Sequence, residues 1–323
     1  MSLGPGTSAL TPTIVDPPSM PARLVTVRRQ FERRAARFGT HDAVVREVDR
    51  RLQERLDVIR LAPQLIVDVG CGAGASAAGL LQRYPQARWL GVDLSAAMLH
   101  QMAAPARRWL GLGALLGQQA RTARLVADSG ALPLADGSVD LVYSNLMLHW
   151  HPTPHTVFPE WLRVLQVDGL LLFSCFGPDT LKELRAAFGQ VWPAAQPLPF
   201  VDMHDFGDMM VAAGFDTPVM DVETLRLTYQ SAQALLREVA ALGGNPRDDR
   251  PAALPPTRAA RALHAVLARG AGADGRLGLT FEIAYGHAWK PAPRAPRAGT
   301  ATVSVESLRA SLGTGVTKPG KGG

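Results

Sequence analysis

The chain has only two cysteines in 323 residues, Cys71 and Cys175. Two thiols this far apart make neither a disulfide framework nor a zinc-ligand spacing, and they fit a reducing cytoplasm. No apolar run approaches the roughly 20 residues that a membrane-spanning helix needs. The first 22 residues hold Pro, Ser and Thr but lack the basic-then-apolar pattern of a secretory signal, so 1–22 reads as a disordered leader. There is no internal repeat. Aromatic residues are 6% of the chain, and the arginine-rich N-terminal stretch interleaves only Phe31 and Phe38. That is a poor platform for stacking bases, so stable nucleic-acid binding is not expected.

What is present supports a full α/β core: the length suffices, and 47% of residues are hydrophobic. The net charge of +6 is unevenly spread. Arg23 to Arg60 holds eleven arginines against six acids, and Lys290 to the end holds six Lys and Arg against one acid. The middle is slightly acidic. Basic flanks attract nucleic acid, acidic lipid or an acidic carrier protein, or are simply a solvated face.

Residues 23–62 read as two lid helices broken near Gly39-Thr40, with Val44, Val48, Leu52, Leu56 and Ile59 at helical spacing. Residues 63–190 alternate strands with helices near 75–84, 96–111, 156–166 and 179–190, which implies a parallel, doubly wound sheet. Residues 191–290 read as a proline-rich loop, a helix at 202–213 closed by Gly214, strands at 217–227 and 279–289, and helices near 231–241 and 257–269. These strands form an antiparallel finishing hairpin with helical insertions over the cleft. Residues 291–323 are Pro, Ala, Gly and Lys rich and read as a disordered basic tail.

The chemistry sits at the strand ends. Leu65-Ile-Val-Asp-Val-Gly-Cys-Gly-Ala-Gly-Ala75 is a buried strand entering a glycine-rich turn that opens a helix. Glycines 70, 72 and 74 permit φ > 0 and close approach of a ligand to main chain, with Asp68 beside them to orient it. The G-x-G-x-G spacing departs from the dinucleotide fingerprint. It resembles the first motif of the class I S-adenosylmethionine (SAM) methyltransferases, which implies that Asp68, Gly70, Cys71, Gly72 and Gly74 hold the cofactor. Asp93 ends the next strand about 20 positions on, suited to accepting two ribose hydroxyls. Leu94 and Met98 follow as adenine-flanking candidates; Met98 also fits a helix core. Asp128, Ser129 and Gly130 resemble the adenine-reading motif. Ser144-Asn-Leu-Met-Leu-His-Trp150 ends the fourth strand at the methyl end.

That fourth-strand end lacks the Asn/Asp-Pro-Pro-Tyr/Phe of many amino-methylating enzymes. Neither cysteine follows a proline, and both read as buried small residues rather than nucleophiles. His149 and His151 stand where an acceptor meets the methyl group, either as base or acceptor-holder or as packed histidines. An alcohol or amine acceptor needs a base, whereas a carboxylate arrives ionised and needs orientation and a charge partner.

The segments Phe31-Glu-Arg-Arg-Ala-Ala-Arg-Phe38, Ser144–Trp150, Phe176-Gly-Pro-Asp-Thr-Leu-Lys-Glu-Leu184, Phe200-Val-Asp-Met-His-Asp-Phe-Gly-Asp208 and Phe281-Glu-Ile-Ala-Tyr-Gly-His-Ala-Trp289 are narrower. With them the chain resembles the malonyl-acyl-carrier-protein O-methyltransferases of biotin synthesis over roughly residues 27–290. The resemblance implies a seven-stranded, mostly parallel class I fold and SAM, with S-adenosylhomocysteine as product. It also implies carboxyl methylation of a malonyl thioester on acyl carrier protein or coenzyme A. Asn145, His149 and Arg33 are then the catalytic candidates, and Arg28, Arg29, Arg33 and Arg34 are candidates for the carrier or the carboxylate. Phe38 stands where that family has a tyrosine, which keeps a packing contact and loses a hydroxyl. The chain is also similar to a mitochondrial complex I assembly factor of this fold, down to Ala301-Thr-Val-Ser-Val305; that resemblance implies protein-arginine hydroxylation. A small-molecule methyltransferase is a further alternative.

Overall fold

The computed structural model describes residues 13–14, 21–102, 121–193, 199–243 and 257–293. Its centre is one sheet of β1 (Thr13–Ile14), β2 (Leu65–Val69), β3 (Arg88–Asp93), β4 (Thr122–Val126), β5 (Val139–Asn145), β6 (Leu165–Phe176), β7 (Asp216–Tyr229) and β8 (Leu277–Trp289). The order is β1-β4-β3-β2-β5-β6-β8-β7. Strands β1 to β6 run parallel, and β8 pairs antiparallel with both β6 and β7. The seven expected strands are present. The eighth comes from the stretch read as a disordered leader, where Thr13 and Ile14 pair with Leu125 and Val126. Of the rest of that leader, residues 21 and 22 lead into the first helix and the others lie outside the described residues, as does almost all of the basic tail.

The chain moves outward through β2, β3 and β4, then returns to β5 and β6 on the other side of β2. The winding reverses between β2 and β5, and in open α/β sheets the ligand crevice lies beyond the carboxyl ends of the strands at such a point. The near-continuous apolar runs follow from burial on both faces. Alternate residues divide between two cores: Ile66, Leu141, Tyr143, Leu170 and Leu172 face one side, and Val67, Val69, Val142, Leu171 and Phe173 the other.

Each helix buries one stripe. The predicted pair is α1 (Ala22–Phe38) and α2 (Ala43–Glu54), the latter running into a 3-10 turn at Arg55–Val58. Val44, Val48, Leu52 and Leu56 are buried in the first core, as their spacing requires, with Ile59 half-buried against it. On the other face, Val157, Phe158, Trp161 and Val164 of α5 (Val157–Val164) fill the second core. Between them come α3 (Ala77–Arg83) and α4 (Ala96–Gln101), the latter capped by Ser95, whose Oγ accepts from Met98 N at 3.3 Å. The expected continuation of α4 to 111 lies outside the described residues.

Helix α6 (Lys182–Val191) starts later than the sequence suggests. Thr180 Oγ1 donates to Glu282 O (2.9 Å) and accepts from Glu282 N (3.0 Å), so Thr180 completes the edge of β8 instead of capping a helix. By contrast, Asp202 caps α7 (Met203–Ala213) through His204 N at 2.8 Å, and Gly214 closes it at φ 99°. The insertion between β7 and β8 supplies α8 (Ala232–Ala241) and α9 (Thr257–Arg269). Helix α8 packs on α1, α9, β7 and β8, and α9 packs on α6 and α8; Leu242, just beyond α8, lines the cleft.

The described residues up to Pro291 fall in one compact unit. The segments 23–62, 63–190 and 191–290 all fall within this unit. Among the described residues, no helix is long and apolar enough to cross a membrane.

Candidate active site

The cleft forms at the carboxyl ends of β2, β3, β4 and β5, has a cavity volume of about 120 Å³, and is covered by α1. Its floor is the glycine turn. Gly70 (φ 74°) and Gly72 (φ 55°) adopt left-handed conformations that L side chains rarely adopt. A Cβ on Gly70 would collide with the Met147 side chain, so the turn lies directly against the segment after β5. The N–H groups of Gly70 and Cys71 both donate to Val92 O (2.8 and 3.0 Å), closing the turn onto β3.

Two acids flank this turn. Asp68 is 1% exposed, and neither carboxylate oxygen has a hydrogen-bond partner in the structure. Burial, then the negative charge of Asp49, pushes its carboxyl well above the usual range. An orphaned buried carboxylate fits a cationic ligand such as an amino group. Asp93 accepts from Gly72 N (2.9 Å) through one oxygen and from Ser95 N (2.8 Å) through the other. Its remaining lone pairs suit hydroxyl donors, and burial raises its pKa to about 6. Behind Asp68, its register partner Tyr143 donates to Asp49 Oδ1 on α2 at 2.7 Å.

Asp128 accepts from Gly130 N at 2.9 Å and lies 3.5 Å from His151 Nε2. Burial pushes this carboxyl up, but the His151 and Gly130 contacts outweigh it and hold the net value below the ordinary range. His151 Nδ1 accepts from Thr153 N at 3.2 Å, so both ring nitrogens are engaged.

After β5 the backbone turns sharply, with Leu146 at φ 52°. Asn145 lines the cleft, but its amide is engaged at both ends: Nδ2 donates to Val45 O (3.0 Å), and Oδ1 accepts from Ser174 Oγ (2.7 Å). It braces β5 against α2 and β6. His149 is 4% exposed and packs between Phe176 (4.6 Å) and Trp150 (5.0 Å). Burial lowers its pKa to about 3, so the ring is neutral. Its Nδ1 accepts from Phe176 N at 3.5 Å, which leaves the proton on Nε2, and that nitrogen has no partner. His149 is therefore a neutral donor at the cleft wall. Phe31 meets Trp150 edge-on at 5.3 Å and Phe38 at 6.2 Å, continuing the aromatic wall onto α1.

Asp68, Gly70, Cys71, Gly72, Asp93, Leu94, Met98, Asp128, Ser129, Asn145 and His149 all line this one cleft. Three of the expected residues, Arg33, Gly74 and Gly130, are not among those that line the cleft. Arg33 is exposed on α1 and does not line the cleft; Arg28 does. At 3.6 residues per turn the two point about 140° apart. Gly74 lies further along, at φ 75° against Met102, and Gly130 turns its N–H to Asp128 instead of a ligand. The sequence reading missed Leu24 and Val27 of α1, Met147, and Leu242 just beyond α8. For the α1 pair the signal was present, since 24, 27 and 31 recur at helical spacing.

A family model described as a methyltransferase domain matches residues 67–173. The solved structure of the YcgJ protein from Bacillus subtilis superposes with a TM-score of 0.53 at 14% identity, covering 76% of this chain and all of that one, a likeness of fold. The fold and the cleft define a class I SAM-dependent methyltransferase. Within that class, the chain is 45% identical to the malonyl-[acyl-carrier protein] O-methyltransferase of Laribacter hongkongensis over 84% of its own length and 91% of the relative's. It is 43% identical to the enzyme of that name from Methylovorus sp. over 83% and 89%. The chain belongs to the malonyl-[acyl-carrier protein] O-methyltransferase family.

Proposed function

We propose that the protein methylates the free carboxylate of a malonyl thioester carried on acyl carrier protein, forming the methyl ester that enters biotin synthesis in the cytoplasm. SAM supplies an electrophilic methyl group, whose carbon–sulfur bond breaks as a carboxylate oxygen bonds to it. The observation that carries this reading is that neither cleft histidine is free to act as a base. His149 is neutral with a pKa of about 3, and both nitrogens of His151 are engaged. An acceptor that must lose a proton finds no histidine to take it, whereas a carboxylate needs none.

Asp68 then holds the cofactor's amino group, and Asp93 its ribose hydroxyls. Asp128 and Ser129 take the adenine edge, beside Leu94 and Met98. His149 Nε2–H serves as a donor to the acceptor's oxygen. Arg29, Arg33 and Arg37, exposed at four-residue spacing on α1, support docking of an acidic carrier protein.

Methyl transfer from labelled SAM to malonyl carrier protein, with acetyl carrier protein as control, tests the reaction. A malonyl-dependent, base-labile methyl ester is expected. Equal labelling of the two carriers, or none with SAM binding intact, overturns the assignment.

A further inference from the structure

The cleft is lined by four carboxylates, those of Asp42, Asp68, Asp93 and Asp128, and by a single Lys or Arg among the described residues, Arg28. Asp42 is paired with Arg46 at 2.7 Å and Asp128 faces His151. Asp68 and Asp93 carry no basic side chain as hydrogen-bond partner. A further carboxylate entering this cleft meets like charge at short range in a medium less screening than water. Among the described residues that line the cleft, only Arg28 offers it a fixed positive charge.

The Arg28 side chain is poised to do so. Its Nε is shielded from solvent and has no hydrogen-bond partner, while the side chain as a whole is 39% exposed and forms a loose ion pair with Glu32, one turn along α1, at 3.7 Å. A shielded donor without an acceptor is unfavourable until a ligand supplies one. A guanidinium suits a carboxylate better than an ammonium does, because its donors match the two oxygens. Arg28 also sits among Leu24, Val27 and Phe31, the α1 residues that cover the cleft.

Resting on the proposed reaction, we infer that Arg28 is the carboxylate-recognition residue of the cleft. It pairs with the free carboxylate of the malonyl group and thereby selects malonyl over acetyl acceptors. Esterification removes the charge that Arg28 holds, so the same residue that binds the substrate releases the methylated product. The cofactor's own carboxylate has the same chemistry, and the test separates the two sources.

Arg28→Gln and Arg28→Lys are made in the full chain, with circular-dichroism melts to check folding. SAM affinity is measured by titration calorimetry, and kcat and KM are measured with malonyl carrier protein. Expected for Arg28→Gln is a rise in malonyl KM of about ten- to hundredfold with SAM affinity within about twofold of wild type, and a smaller rise for Arg28→Lys. The wild type is inhibited by its methyl ester product far less than Arg28→Gln is, relative to each enzyme's malonyl KM. Loss of SAM affinity with an unchanged malonyl KM assigns Arg28 to the cofactor's carboxylate and overturns the inference. Unchanged values for both overturn it as well. If the wild type binds SAM but does not methylate malonyl carrier protein, the functional reading itself fails, and this inference falls with it.

Discussion

A buried carboxylate without a partner destabilises the chain that carries it, and Asp68 is in that position. Asp68→Asn is expected to raise the melting temperature of the SAM-free enzyme, by about 1–3 kcal/mol of stability, while weakening SAM binding at least tenfold. Scanning calorimetry with and without SAM reads both effects; a variant less stable than wild type would show that Asp68 is satisfied in the free enzyme. Asp93 adds a pH dependence. Burial raises its folded-state pKa to about 6, above the value of an unfolded carboxylate. Its contribution to the stability of the free enzyme is therefore fully present below about pH 4 and lost as pH rises through about 6. SAM, a cation, favours the ionised carboxylates, so its binding below that range must expel protons. Its affinity is expected to fall between pH 7.5 and pH 5, with proton release detectable by calorimetry in buffers of different ionisation heat. A Kd that is flat over this range counts against ionised Asp68 and Asp93 as the cofactor's partners.

Among the elements, α1 divides its faces between two tasks. Leu24, Val27 and Phe31 face the cleft, and Arg29, Arg33 and Arg37 face solvent. Reversing the charge of the outer three is expected to raise the KM for carrier protein about tenfold and to flatten its salt dependence, with the SAM KM unchanged. Equal effects on both constants would remove these arginines from the docking surface. The lid is tied down elsewhere: Arg34 donates to Gly243 O, His41 Nδ1 meets Glu238 at 3.1 Å, and Asn145 holds Val45 O. Asn145→Ala removes the bonds to Val45 and Ser174 together. It is expected to lower stability by about 1–3 kcal/mol in urea unfolding, because buried partners are left unpaired. A midpoint equal to that of wild type would mean that water replaces the amide.

In the whole molecule, the parallel half of the sheet builds the floor of the cleft and the antiparallel edge closes the sheet. The β6–β8 pair ends in a tie in which Lys290 Nζ donates to Leu165 O at 2.6 Å and its N–H donates to Gly169 O at 2.9 Å. The described residues up to Pro291 fall in one compact unit that contains this tie. Truncation after Pro293 is therefore expected to leave the melting temperature and SAM affinity unchanged, and a large loss of either would assign the tail a part in the fold.

Strand and helix identity follows from local pattern, so alternation between residues 63 and 190 reads directly as a doubly wound sheet, and the helix at 202–213 with its Gly214 stop reads almost to the residue. The floor of the cleft was legible for the same reason: Asp68, Gly70, Gly72 and Asp93 sit at strand ends, where position along the chain fixes position at the cleft. The Phe31–Phe38 segment and the segments after the core carried the resemblance to one family. Tertiary structure decided which arginine enters the cleft, since Arg28 and Arg33 have the same chemistry and differ only in helical phase. It also engaged Asn145 in bracing, drew Thr180 onto the β8 edge, and silenced His149 as a base by burying it. Proton affinity and hydrogen-bond engagement depend on neighbours from distant segments, and that information enters only when the chain closes on itself.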